Sequence, residues 1–263
     1  MFATERQAEI AELVATSRRV NGAELARRFD VTMETVRRDL AALEAAGRLR
    51  RVHGGAVPVE QTTVDEKAIH SRQHLNTPEK RRIAEAAFSL LRTSGAGAVV
   101  LDAGSTVEAL ADLIVRSDST LPDGQEQLII THALHIAAKL ADATGIGLEL
   151  VGGRVRKLTW AAAGGRAAEH YSRLRPDVAF IGCNGLHPEF GLSTPDPIEA
   201  VVKSAIVQTS RRVVLLCDAA KFGQETLMRF ASLEEIDTLV TDRAPGPELT
   251  AALEAADVEV VLA

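Results

Sequence analysis

The chain lacks the residues that mark a protein for an oxidising or a membrane environment. Its 263 residues include two cysteines, one tryptophan and one tyrosine. Two cysteines cannot form the bridge framework of a small secreted domain. Cys183 and Cys217 each close an apolar run, at 177–181 and 213–216, and read as small buried hydrophobes of a reducing compartment. No run approaches the roughly 18 apolar residues of a membrane span, and residues 1–21 carry acids and arginines where a secretory signal would be apolar. A cytoplasmic protein with no membrane partner is expected. His132 and His135 are three apart, but no cysteine or third histidine falls at ligand spacing, so no metal is expected. The glycine pairs 152–153 and 164–165 do not make a G-x-G-x-x-G, so no dinucleotide or other cofactor is implied. Trp160 and Tyr171 read as packing or subunit-contact residues.

What is present is a globular composition, 46% hydrophobic and 25% charged, which excludes disorder and suits one large domain or two modest ones. The net charge of −6 is unevenly laid out. Residues 1–57 hold ten arginines and no lysine against eight acids, whereas residues 58–263 hold 20 basic and 28 acidic groups. A basic piece that uses only arginine, joined to an acidic remainder, predicts two modules with different partners.

In the first module Thr4 and Gln7 have the spacing of a capping box, and Ile10, Leu13 and Val14 share one face of a helix running to about residue 17. Asn21 caps a short helix over 22–29, the segment 29–31 breaks it, and Thr32 caps a third helix over 33–46 with Val36, Leu40 and Leu43 as its apolar stripe. Two short helices joined by a tight turn make a helix-turn-helix. Thr35, Arg37 and Arg38 lie off the stripe, in the half of a recognition helix that meets base edges, where a guanidinium fork matches guanine or a phosphate. Asp39 is placed to hold Arg38. After Gly47, residues 48–57 form two short arms around Gly54-Gly55, a wing whose arginines suit the phosphate backbone. A lone Arg-Arg pair would be a solvated face; cap, turn, pair and basic hairpin in this order favour the nucleic-acid reading.

Glu24-Leu25-Ala26, Phe29-Asp30-Val31-Thr32, Thr35-Val36-Arg37-Arg38-Asp39-Leu40, Leu43-Glu44 and Arg51-Val52-His53-Gly54-Gly55-Ala56 resemble the N-terminal signature of the DeoR/GlpR family of bacterial transcriptional regulators. Thr32 stands where that family usually has serine, which preserves the cap. Thr32, Thr35, Arg37 and Arg38, with Arg50, Arg51, His53 and Gly54 of the wing, are therefore the residues expected on operator DNA.

Residues 58–76 are polar and weakly patterned and read as a linker, with a short helix near Lys67. From residue 77 helices alternate with apolar strands: a helix over 79–91, strands over 98–101 and 128–130, and a last strand near 258–262. This predicts an α/β fold, an N-terminal winged helix-turn-helix (1–57) followed by a parallel-sheet domain (77–263) with helices on both faces. Ligands of such sheets bind outside the carboxyl ends of the strands. The first strand ends in Asp102-Ala103-Gly104-Ser105-Thr106 and a helix follows at once, which suits either an ordinary helix cap or a phosphate cradle. The other strand ends, Thr131-His132, Gly152-Gly153, Gly182-Cys183-Asn184-Gly185 and Asp218-Ala219-Ala220-Lys221, carry small or polar residues suited to a polyhydroxy ligand, and Lys221 adds a cation.

Glu79-Lys80, Ile83-Ala84, 101–106, Gly152-Gly153, Asp177, 179–182, Gly191, Thr194, Asp196, Glu199-Ala200, Lys203, Asp218, 221–223 and Asp237 resemble, in order, the effector domain of the same family. The resemblance implies a fold similar to ribose-5-phosphate isomerase and a phosphorylated sugar as effector, in a repressor of carbohydrate uptake or breakdown. By position it implies Gly104, Ser105 and Thr106 for the phosphate, and Asp102, Thr131, Glu199, Lys203, Asp218 and Lys221 for sugar hydroxyls or for groups that support them. Gly152 and Gly185 complete the expected effector site. His132 stands where the family commonly has asparagine. The rival reading is a sugar-phosphate isomerase-like enzyme with an appended DNA-binding module; it needs a carboxylate base with an acid partner, and the loop 182–185 has no carboxylate. No enzyme is expected. One small module buries too little surface for tight DNA binding, so a homo-oligomer on repeated half-sites is expected.

Overall fold

The computed structural model describes residues 3–17, 20–46, 48–52, 54–57, 66, 68–117 and 119–263, with the side chains of residues 4, 15–17, 50 and 57 outside the description. Two compact units divide the chain, Met1–Thr62 and Thr63–Ala263.

The first unit contains α1 (Ala3–Ser17), β1 (Val20–Asn21), α2 (Gly22–Phe29), α3 (Met33–Ala45) and the hairpin β2 (Arg50–Val52) and β3 (Gly55–Val57). Ile10, Val14, Leu25, Val36, Leu40, Leu43 and Leu49 form its core. The expected caps are present: Asn21 accepts from the Ala23 N–H at 2.8 Å, and the Thr32 hydroxyl from the Thr35 N–H at 3.2 Å. Between the two helices Asp30 takes the left-handed conformation that ends α2. The wing is a three-stranded sheet in the order β1-β3-β2, because Val20 pairs with Ala56 and Asn21 with Gly55. Glycine is required at 55, where a Cβ would overlap the Val20 carbonyl.

Two local expectations are corrected. Helix α1 begins at Ala3, so Thr4 already lies inside it, and the Gln7 amide is used elsewhere, donating to Asp39 Oδ1 at 2.9 Å. Asp39 does not hold Arg38. It lies on the buried face of α3, where a carboxylate needs donors, and takes Arg6 Nε at 2.6 Å as well as Gln7. Arg38 faces solvent and meets Glu34, one turn back, at 3.4 Å.

The second unit opens with α4 (Ile69–Gln73) and α5 (Thr77–Ser94) and continues β4 (Ala98–Leu101), α6 (Ser105–Val115), β5 (Gln127–Thr131), α7 (Leu134–Leu140), β6 (Ile146–Leu150), the hairpin β7 (Arg154–Arg156) and β8 (Ala161–Ala163), α8 (Gly165–Ser172), β9 (Val178–Ile181), β10 (Gly185–His187), β11 (Gly191–Thr194), α9 (Pro197–Thr209), β12 (Val213–Leu216), β13 (Met228–Ala231), β14 (Thr238–Thr241), α10 (Pro247–Ala255) and β15 (Glu259–Leu262). Seven strands form a parallel sheet in the order β15-β14-β12-β9-β4-β5-β6. Its central strands β4, β9 and β12 are apolar throughout because both faces are covered there. Val99, Leu101 and Phe180 pack with Ile83, Leu110 and Ile136 of α5, α6 and α7, while Val100, Ala179 and Ile181 pack with Tyr171, Ile206 and Leu253 of α8, α9 and α10. From β4 the chain runs outward to β5 and β6, then returns to the other side of β4 with β9. The strand order therefore reverses between β4 and β9, and a crevice opens outside their carboxyl ends.

The segment expected as a linker is largely part of this unit. Residues 58–65 and 67 lie outside the described residues, but Ile69 is fully buried, its N–H donates to the Leu158 carbonyl at 2.9 Å, and Lys80 of α5 donates to the carbonyls of Arg72 and Leu75 at 2.5 and 2.6 Å. A five-residue helix with one core residue is too short to show a period, which is why 66–76 read as a connection.

Removing the Asp39 carboxylate leaves Arg6 and Gln7 without their shared acceptor. Asp39→Ala is expected to destabilise the first unit by about 2 kcal/mol, measured by denaturant unfolding, with Glu24→Ala as an exposed comparison of small effect.

Candidate functional site

On the first unit the expected residues gather at one end of α3. The Arg37 and Arg38 side chains are 71% and 79% exposed, next to the capped turn of Thr32 and Thr35, whose hydroxyls are 3.0 Å apart. Glu34 is their one nearby carboxylate among the described residues, 3.9 Å from Arg37 and 3.4 Å from Arg38. Arg51 Nε lies 3.6 Å from Glu44, which also accepts from the Arg51 N–H at 2.8 Å, so the wing is fastened to the end of α3. Gly54 makes the wing's turn with φ +80°, and its carbonyl accepts from the Gly22 N–H. His53 and the side chain of Arg50 lie outside the described residues.

On the second unit the crevice between β4 and β9 holds a buried ion pair. Asp102 follows β4 and is fully buried; its Oδ2 accepts from the Gly182 N–H at 3.0 Å and from Lys203 of α9, and Lys203 also donates to the Gly182 carbonyl at 2.9 Å. Asp102 Oδ1 has no hydrogen-bond partner in the protein, with His132 Nε2 at 3.7 Å. The His132 ring is fixed by Tyr171, 3.0 Å from its Nδ1, and burial holds it below its usual pKa. Above the loops the space is open: a Cβ on Gly104 or on Gly182 would meet no atom within 4 Å. Helix α6 starts at Ser105 with no side-chain cap, leaving its first N–H groups facing that space.

Three cations stand around the same end of the sheet. Lys221 lies 3.5 Å from Asp218, whose other oxygen accepts from Asn76 at 3.1 Å. Burial works against the Lys221 charge, but Asp218 more than offsets it and holds the amine above its usual pKa. Lys80 shares with Ser105, Gln73 and Glu108 a cavity of about 690 Å³. Burial first, and then the charge of Lys221, lower its pKa to about 8. Arg72 of α4 acts electrostatically on Lys80, Lys221 and His135; its Nη2 lies 3.9 Å from Glu66, and its Nε is a buried donor with no acceptor in the protein. Helix α4 is fastened beside them, Gln73 donating to both oxygens of Glu108 at 2.9 and 2.7 Å. At its other side Arg156 of β7 reaches Glu66 at 2.7 Å, Asp196 at 2.9 Å and Glu199 at 3.3 Å. Burial and the Glu199 charge raise the Glu66 pKa.

The expected effector residues thus divide. Asp102, Gly104, Ser105, Lys203, Asp218 and Lys221 border the crevice, with Thr106 buried in the first turn of α6. Thr131 is committed, donating to the Leu101 carbonyl at 2.7 Å and accepting from the Ala133 N–H. Glu199 is held by Thr159 and Arg156. Gly185 is a packing position where a Cβ would overlap the Gln224 carbonyl, and Gly152 ends the edge strand β6, two strands from β4. Arg72, Asn76, Glu66 and Arg156 were not singled out by the sequence, because they sit in the weakly patterned segment or in a three-residue strand.

Comparison with known proteins agrees with both units. A model described as a DeoR-like helix-turn-helix domain matches residues 6–62, and one described as the DeoR C terminal sensor domain matches residues 75–243. The chain is 34% identical over 262 residues to the HTH-type transcriptional regulator GlpR of Haloferax volcanii, covering 99% of this chain and 98% of that protein. It is 30% identical to the HTH-type transcriptional repressor GlcR of Bacillus subtilis, covering 100% and 97%. Among solved structures, ribose 5-phosphate isomerase A of Methanocaldococcus jannaschii aligns with a TM-score of 0.37 and 16% identity over 56% of this chain and 55% of that one.

Arg37→Ala and Arg38→Ala are each expected to weaken operator binding by about 1 to 3 kcal/mol where they read bases, whereas Arg51→Ala should weaken all sequences alike and lower the salt slope by about one. Glu34→Ala frees both recognition arginines and should strengthen non-specific binding, read by titration at fixed salt.

Proposed function

The chain belongs to the DeoR family of DNA-binding transcriptional regulators, and on that premise we propose that it is a repressor of carbohydrate uptake or breakdown genes released or engaged by a phosphorylated sugar. It works as a homo-oligomer, since one winged module buries too little surface to hold a specific site. The observation that carries the effector's class is the electrostatic grouping of Arg72, Lys80 and Lys221, with Lys80 sharing a cavity with Ser105 at the uncapped start of α6. Three cations kept close together in a buried place repel one another; an anion with several acceptor oxygens relieves that repulsion and supplies the acceptor that Arg72 Nε lacks. The α6 N–H groups, with Ser105 and Thr106, add the donors of a helix N-terminus. Asp102 Oδ1, buried without a donor, suits a hydroxyl of the same ligand. Glu199 is already bonded to Thr159 and Arg156, and no enzymatic step is assigned to it.

The route to the first unit runs through the chain itself. Arg72 lies on α4, Glu66 precedes it, and residues 58–65 lead from there to the wing. A ligand that engages Arg72 and Lys80 acts on the segment from which the DNA-binding unit continues. By linkage, a ligand that weakens operator binding must itself be weakened by operator to the same factor.

Inorganic phosphate titrated calorimetrically into the full chain tests the site. It is expected to bind wild type, and Ser105→Ala with Thr106→Ala should lose binding while keeping operator affinity. The free Lys80 amine titrates at about 8 and an anion favours its charged form, so phosphate affinity should fall as pH rises above about 8, with proton uptake on binding. Lys80→Met should bind more weakly at neutral pH and show a flattened slope. Equal binding by wild type and the Ser105/Thr106 variant would move the effector to another place.

A further inference from the structure

Two thiols stand beside the crevice with no part in the chemistry described above. Cys183 directly follows Gly182, and Cys217 directly precedes Asp218, so each is the chain neighbour of a crevice residue. Strands β9 and β12 pair in register, Val213 with Ala179 and Leu215 with Ile181. Carried on by two residues, that register sets Cys217 beside Cys183. Both side chains are buried and the sulfurs lie 3.6 Å apart. Neighbouring strands are about 4.8 Å apart, inside the roughly 4.4 to 6.8 Å of Cα separation that a disulfide spans. The Cys217 thiol, and then the Lys221 and Lys203 ammonium groups, favour thiolate on Cys183, whereas the same sulfur contact and burial push Cys217 up. A Cβ on Gly182 would meet no atom within 4 Å, so the backbone next to Cys183 borders open space although both sulfurs lie in the core.

We propose that Cys183 and Cys217 form a reversible disulfide in response to a hydroperoxide, and that the bond lowers the affinity of the adjoining crevice for its anionic ligand. The Cys183 thiolate attacks one peroxide oxygen; the O–O bond breaks, Cys183 becomes a sulfenic acid, and the departing oxygen leaves as water or alcohol after protonation. Cys217 then gives up its proton and attacks the sulfenic sulfur, forming the S–S bond and releasing hydroxide, which that proton converts to water. The two thiols supply the two electrons that reduce the peroxide. A thiol reductant reverses the bond by exchange. Bonding draws the sulfurs from 3.6 Å to about 2.05 Å, and with them the Gly182 loop that holds Asp102 and Lys203 and the Asp218 loop that holds Lys221. The disulfide stands on the cysteine geometry alone; its effect on ligand rests on the effector site proposed above.

The test treats the reduced full chain with hydrogen peroxide and follows intact mass, non-reducing peptide mapping and inorganic phosphate affinity. Expected are a loss of about 2 Da, a Cys183–Cys217 cross-linked peptide that a dithiol reverses, and phosphate binding weakened about tenfold in the oxidised form only. Cys217→Ala should stop at a sulfenic acid on Cys183 that dimedone traps, Cys183→Ala should give no cross-link, and both should bind phosphate like reduced wild type. A wild-type chain that takes up dimedone or is over-oxidised without the cross-link overturns the proposal, as does no reaction at all. A cross-link with unchanged phosphate affinity overturns the switching half. Reduced wild type that binds no phosphate counts against the effector site, and the cross-link then decides the disulfide by itself.

Discussion

The buried pair of Asp102 and Lys203 is the interaction on which the second unit's chemistry depends. Taking both charges out of water costs several kcal/mol per ion, and their attraction offsets this only if the remaining donors and acceptors are filled. Gly182 fills part of them from both sides, its N–H on the carboxylate and its carbonyl on the amine. Three elements that meet at the switch point, the ends of β4 and β9 and the middle of α9, are thereby held at fixed spacing, with the glycine loops at 104 and 182 left open above them. Asp102 Oδ1 is excluded from this arrangement and remains without a donor. The pair therefore ties these three elements together while one carboxylate oxygen is left without a partner in the protein.

The α4 segment gives that crevice a connection to the rest of the chain. Its carbonyls are held by Lys80, its Gln73 by Glu108, and the residue that precedes it, Glu66, by Arg156. Each fastening has a partner in or beside the crevice: Lys80 lies within reach of the Lys221 charge, Glu108 shares the Ser105 cavity, and Arg156 also holds Glu199. Under the effector site proposed above, a ligand on Lys80 or Arg72 would act on the side chains that anchor α4, so coupling would need no distant relay.

The sequence was informative where periodicity and chain ends carry the signal. Strand β4 falls at the expected residues 98–101, and the caps at Asn21 and Thr32 follow from their short polar side chains. Failures follow from contacts that join distant residues. Thr4 and Gln7 have capping-box spacing, but Asp39, 32 residues on from Gln7, takes the amide. Thr131 has the right place and chemistry for a ligand, yet its hydroxyl ties β5 to β4. Segment 66–76 has no period to read, and its order comes from Leu158, Glu108, Lys80 and Arg156, all of them later in the chain. Strand β1, with two residues, exists only because β3 lies alongside.

The division of basic residue types between the two units follows from what each site requires of its charge. Residues 1–57 use only arginine, and on the exposed end of α3 a group that stays ionised at every working pH, with a fork matched to phosphate and guanine, is the suitable choice. In the crevice the cations are mainly lysines, whose charge responds to its surroundings: burial and Lys221 bring Lys80 to about 8, while Asp218 keeps Lys221 charged. A ligand can change the protonation of such a group, which it cannot do to an arginine. The two arginines that do occur there follow the same logic. Arg156 must meet three carboxylates at once, from Glu66, Asp196 and Glu199, which a planar fork can do and a single ammonium cannot. Arg72 faces Glu66 at 3.9 Å with one end of its fork while its Nε has no acceptor in the protein, a division that a single ammonium could not make.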